Sequence, residues 1–170
     1  MMQILLLALA VSLACADSID YSKVPGNWRT IAIAADHVEK IEVNGELRAY
    51  FRQVDCTEGC DKISITFYTN TDGVCTEHTV VGARNGENDV YTVDYAGENT
   101  FQILCNSDDA FVIGSVNTDQ NGQTTKEVAI AAKRNFLTPE QEQKFQKAVQ
   151  NAGIPLENIR YVIETDTCPD

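Results

Sequence analysis

Pro25-Gly26-Asn27-Trp28-Arg29-Thr30-Ile31-Ala32-Ile33-Ala34-Ala35 is the stretch that decides the fold. It carries the only tryptophan of the chain, at the mouth of the first strand-like run, with a glycine two residues before it. A tryptophan so placed reads as a plug at one end of a closed β-barrel, with the later strands laid around it. That reading needs a succession of short strands downstream, followed by one change of pattern.

Both are present. After 28–35, period-two or β-rich runs follow at 47–55, 63–68, 74–82, 90–95, 100–105, 110–116 and 124–132. Turn signals separate them: Thr71-Asp72-Gly73, Asn85-Gly86, Gly97, Asn106 to Asp109 and Asn117 to Gly122. No helical pattern intervenes, so the fold class is all-β: an eight-stranded antiparallel up-and-down barrel rather than a parallel α/β sheet. The period then changes. Thr138-Pro139-Glu140-Gln141 supplies an N-cap, a proline at the first helical position and a capping-box partner. Phe145, Ala148 and Val149 form one apolar stripe, and Asn151, Gly153 and Pro155 end the helix. This single C-terminal helix is expected against the outside wall of the barrel, with a short final strand at 159–163. The polar loop 37–45 is placed over the barrel mouth, with Glu39, Lys40 and Glu42 as a solvated face.

The 170 residues, 44% hydrophobic, suffice for one domain with a sizeable core. A net charge of -12 argues against nucleic acid, whose phosphates need basic partners, and against anionic membranes. Residues 1–16 read as a secretory signal peptide: an apolar run at 4–13, too short to span a bilayer, and small residues at Ala14-Cys15-Ala16. The mature domain is then 17–170, secreted and extracellular, with no membrane insertion. A bacterial lipoprotein anchor at Cys15 is the rival, and nothing else in the chain has that character.

Five cysteines remain in the mature chain, Cys56, Cys60, Cys75, Cys105 and Cys168, and in an oxidising compartment most should pair. Cys56-x-x-x-Cys60 suits a small loop between two strands. Cys75 with Cys168 would then tie the tail to the barrel, and Cys105 is left over as a free thiol. No histidine stands at zinc-like spacing, so no metal is expected.

The pattern resembles a lipocalin. Gly26-x-Trp28, eight strands, one helix and a tail cysteine carry the general likeness. Tyr95-Ala-Gly-Glu-Asn-Thr-Phe101, Leu137-Thr-Pro-Glu140, Asn151-Ala-Gly-Ile-Pro-Leu-Glu-Asn158 and Asp166-Thr-Cys-Pro169 resemble the odorant-binding subfamily. Cys56-x-x-x-Cys60 and Ala34-Ala-Asp-His-Val-Glu-Lys-Ile41 look like its rodent branch, which includes aphrodisin. The resemblance implies a secreted carrier of small hydrophobic volatiles, odorants or pheromones, with no cofactor and no metal. It implies a disulfide between Cys75 and Cys168 and a cation over the Trp28 face from Lys133 or Arg134, with Lys133 favoured. Some members are dimers and some monomers, which leaves a homodimer open.

The family's cavity positions set the phase of the strands. They point inward Ile33, Leu47, Ala49, Phe51, Ile65, Phe67, Val80, Val93, Tyr95, Asn99, Phe101, Ile113 and Ser115, and outward Arg48, Ser64, Thr66, Thr92 and Asp94. By the same parity His78 and Glu127 face inward, where an apolar cavity would not ordinarily hold ionisable groups. They are expected in or near the cavity, biasing it towards ligands with a polar or basic group. Cys105 also falls on the inward parity. A cavity thiol serves the lipocalin-type prostaglandin synthase, but no histidine or lysine near Cys105 in sequence would activate it. The expected function is therefore transport and not catalysis. The alternative is a protein chemosignal, aphrodisin-like, acting on a chemosensory receptor.

Overall fold

A computed structural model describes residues 18–170. Gly26–Asn27 (β1) and Arg29–Ala35 (β2) are one extended run interrupted only at Trp28. Seven strands follow as a meander: Tyr50–Thr57 (β3), Lys62–Thr71 (β4), Val74–Asn85 (β5), Val90–Asp94 (β6), Glu98–Asn106 (β7), Ala110–Thr118 (β8) and Thr124–Ala132 (β9). All neighbours pair antiparallel, each with the next in sequence from β3 to β9. The first run closes the barrel, because β1 pairs with β3 while β2 pairs with β9. Trp28 N donates to Arg52 O across that closure, and Thr30 Oγ1 accepts from Phe51 N.

The sheet therefore has ten strands where eight were expected. The two additions are two-residue pieces, β1 and Ile159–Arg160 (β10), the latter pairing with β2. The expected strand at 159–163 stops after β10. The chain instead coils into a 3-10 turn at Val162–Thr165, which drives Val162 fully into the core. Residues 47–49 belong to the mouth loop and not to β3. Asp72 and Gly73 both have positive φ and make the tight β4–β5 hairpin. Asn85-Gly86 does not make the two-residue hairpin expected of it: the connection runs from Gly86 to Asp89, with Asp89 in the left-handed region.

Pro139–Asn151 is the helix, and its capping box is complete. Gln141 N donates to Thr138 Oγ1 at 3.2 Å and Thr138 N to Gln141 Oε1 at 2.9 Å. Phe145, Ala148 and Val149 are buried against the outer faces of β2, β8 and β9, among Ile31, Ala34, Val112 and Ile130. A second cluster lines the barrel itself, from Trp28 and Phe111 at one end to Phe67 and Leu47 towards the other. Three bulges, between Thr30 and Ala32, Phe51 and Gln53, and Ile103 and Cys105, interrupt the alternation between the two faces.

Candidate functional site

The barrel encloses a cavity of ≈ 100 Å³. One buried water needs roughly 10–15 Å³ on this measure, so the space admits a small organic molecule. All fourteen positions predicted for it, Glu127 included, stand on its wall, joined by Thr30 and Ala129. Ala129 follows Glu127 in parity and was open to discovery by alternation. Thr30 was not, because the bulge after it shifts the register: Thr30 and Ile33 face the cavity while Ile31 turns outward to the helix. Four aromatic rings, Phe51, Phe67, Tyr95 and Phe101, stand among eight aliphatic side chains on the wall. Phe51 lies 6.5 Å from Phe67, and Phe67 meets the Tyr95 ring edge-on at 5.0 Å.

One end is closed by Trp28. Its Nε1 donates to Val24 O at 2.8 Å, and its ring meets Phe111 edge-on at 4.7 Å. Lys133 Nζ sits 4.3 Å from the ring centroid, so of the two candidate cations Lys133 takes the place. Gly26, at φ +141°, lies under that ammonium, and a Cβ there would collide with Lys133 Nζ. Glycine two residues before the tryptophan thus makes room for the cation. Arg134 turns away, pairing with Asp109 and covering Phe136. Beneath the plug, the Arg52 guanidinium chelates Asp166 at 2.7 and 2.8 Å, holding the tail against the outside of β3.

The family model described as the lipocalin / cytosolic fatty-acid binding protein family matches residues 25–166, which span the plug, the barrel and the helix. The chain is a lipocalin. It is 43% identical to aphrodisin of Cricetus cricetus over the full length of both chains, and 39% identical to the odorant-binding protein of Rattus norvegicus over 99% of each. Among solved structures it is similar to hamster aphrodisin, described as a female sex pheromone, at 41% identity and a TM-score of 0.84, covering 86% of this chain and 99% of that one. A bovine odorant-binding protein in complex with undecanal is 28% identical, with a TM-score of 0.64, over 91% of this lipocalin and 98% of that chain.

At the mouth of this lipocalin, residues 36–49 form a loop that is exposed along much of its length yet tied down by side-chain pairs. Lys40 bridges Glu46 at 3.0 Å and Asp119 at 3.5 Å, Glu42 pairs with Arg160, and Asn44 and Asp72 exchange two hydrogen bonds. Glu39 is exposed as expected and the Glu42 side chain keeps 46% of its surface, while Lys40, at 19%, is drawn in. Tyr95 Oη donates to Glu46 O at 2.8 Å, joining the wall to the loop. Arg48 stays off the cavity wall but is buried, its guanidinium bonded to Ile41 O and Thr165 Oγ1.

The two ionisable residues predicted inside separate. His78 stacks on Phe67 at 5.1 Å, meets Tyr95 at 5.0 Å and bonds Thr69 Oγ1 at 2.9 Å; it belongs to the rim and not to the cavity wall. Glu127 is on the wall, half-buried. Burial pushes its carboxyl up to about 8, with no opposing charge to bring it down. Burial likewise raises the Tyr95 phenol.

The disulfides Cys56–Cys60 and Cys75–Cys168 are formed, with Cα separations of 4.6 and 5.7 Å. The expectation of a free Cys105 is overturned: Cys105 is disulfide-bonded, and no cysteine is free among the described residues. Nor does it face the cavity. The bulge between Ile103 and Cys105 turns it to the outer seam, where it packs with Leu104 near the helix. The signal-peptide assignment at 1–16 lies outside the described residues.

Proposed function

We propose that this lipocalin is a secreted carrier that reversibly buries small hydrophobic odorants or pheromones in its barrel, and that it performs no chemistry on them. The observation that carries this is the apolar, aromatic-walled cavity above the Trp28 plug. The fourteen predicted wall positions, with Thr30 and Ala129, are the proposed contacts. Binding is then mostly burial, about 25 cal/mol per Å² of apolar surface. A ligand of about 10–12 heavy atoms reaches roughly micromolar affinity on that basis. The undecanal complex of the bovine relative is the same kind of guest. Secretion is supported by the disulfides, which persist in oxidising compartments, and by the leader-like 1–16. A thiol-enzyme role has no thiolate to use, since Cys105 is bonded.

The direct test is displacement of a fluorescent hydrophobic probe by a panel of volatiles, with mass spectrometry of whatever co-purifies. Saturable probe binding reversed by volatiles is expected. A protein that neither takes up the probe nor carries a guest ends the proposal. The description of the aphrodisin neighbour as a sex pheromone favours a second reading, in which the folded protein itself engages a chemosensory receptor. Ligand-stripped protein that keeps receptor activity would favour that reading; activity that returns only with the guest would remove it.

A further inference from the structure

Five residues on the cavity wall carry polar side-chain atoms: Thr30, Tyr95, Asn99, Ser115 and Glu127. Three of these are committed to the protein. Thr30 Oγ1 accepts from Phe51 N, and Tyr95 Oη donates to Glu46 O. Asn99 donates to Tyr95 O and accepts from Asn117 Nδ2. Glu127 and Ser115 have no hydrogen-bond partner among the described residues, and they stand directly opposite each other in the β8–β9 register. Side chains so paired lie about 5 Å apart at Cβ on one face of the sheet. The wall therefore presents one uncommitted polar spot, a carboxyl beside a hydroxyl, in otherwise apolar surroundings. Leaving buried polar groups without partners is costly, so a guest that satisfies them gains relative to one that does not.

We infer that Glu127, flanked by Ser115, is the selectivity group of the cavity and donates a hydrogen bond to an oxygen acceptor on the guest, so that the protein prefers aldehydes, ketones or esters to hydrocarbons of equal length. The inference rests on the carrier reading above and names the ligand class of that same cavity. Among the described residues no cation is placed to claim the carboxyl. β8 offers no ionisable side chain at all. On β2 the residue opposite Glu127 is Ala35, and Arg29, at the far end, pairs with Asp166 and Asp170. Beyond β2, Asp36 accepts from Lys126 N and His37 faces Thr125. Tyr95 is the ionisable group whose charge couples to Glu127, and its hydroxyl is engaged with Glu46; His78 lies behind it, on Phe67. Lys40 is held by Glu46 and Asp119. Burial keeps the carboxyl protonated at neutral pH, hence a donor. A basic guest would have to shed the hydration of an ammonium to enter, which disfavours it against a neutral carbonyl compound.

The test is competitive displacement of a neutral fluorescent naphthyl probe by decane, decanal and decylamine from pH 5.5 to 9.5, for the whole protein and for Glu127→Leu and Glu127→Gln. At pH 6 decanal should bind about 3- to 10-fold tighter than decane, the worth of one buried hydrogen bond. That preference should fade as pH rises through about 8. Glu127→Leu should bind decane and decanal equally, whatever its affinity for either, because the donor is gone. Glu127→Gln, whose amide still donates, should retain the preference without its pH dependence, and it serves also if the leucine variant does not fold. Equal binding of decane and decanal by the wild type, an unaltered preference in Glu127→Leu, or tighter binding of decylamine than of decanal at pH 6 would overturn the inference while leaving the carrier intact. Failure of decane, decanal and probe alike would remove the carrier reading with it.

Discussion

The inner face of the barrel and the outer seam beneath the helix are built from the same three strands. Ile33, Ile113 and Ala129 look inward; Ala34, Val112 and Ile130, each one residue away, look outward. Outside, small residues on β2, β8 and β9 let Phe145, Ala148 and Val149 seat with no exposure, and the seam is filled. Inside, larger aromatic side chains arch over a space they do not fill. One strand thus serves stability on one side and capacity on the other, and the period of two keeps them apart.

The contrast breaks most readily on the outside. Phe145→Ala should cost about 3–5 kcal/mol, since a ring packed on every side leaves a cavity on truncation. Urea denaturation measures the loss, and the folded fraction should bind the probe as before. A loss under about 1 kcal/mol would mean that the seam is loose.

The next effect tests whether the inner polar spot is dry. Burial raises the folded-state value of Glu127 from an ordinary 4.5 to about 8. The folded protein then holds a proton that the unfolded chain releases, so this contribution to stability is complete below 4.5 and is lost progressively as pH rises to 8. Glu127→Gln should abolish that slope: equal to wild type at pH 4, and more stable by about 3 kcal/mol at pH 9, allowing for water entering the cavity. Parallel denaturation curves for the two proteins across this range would show a hydrated carboxyl.

The smallest effect fills the void. Ala129→Leu adds three carbons on the cavity wall and should stabilise the protein by about 1 kcal/mol while weakening probe binding at least about tenfold. Destabilisation with unchanged binding would instead mark Ala129 as part of a solid interior.

How much of this was legible follows from the same alternation. In β4 the pattern is unbroken, with Ile63, Ile65 and Phe67 buried and Ser64 and Thr66 more open, and sequence parity places each correctly. Where a bulge intervenes, parity fails by one. Thr30 was missed, and Cys105 was assigned to the wrong face, because an extra residue costs nothing visible in the sequence. The helix start was legible to the residue, since a capping box is a local chemical requirement. The mouth loop was not, because Lys40–Asp119 and Glu42–Arg160 join residues distant in the chain whose charges alone read as solvated. The tail was half legible. Its cysteine was identified, but the Arg52–Asp166 pair and the turn that buries Val162 depend on the finished barrel beneath them.

The Trp28 plug, braced by Lys133 above and by Val24 O at its indole nitrogen, shuts one end of the barrel. At the other end Tyr95 joins the wall to the 36–49 loop. Leu47 and Ala49 of that loop also line the cavity, so loosening the Lys40 or Asn44 tethers would change both the rate of exchange and the hold on a guest. The loop is thereby latch and wall at once, and a guest's residence time and its affinity share that part of the molecule.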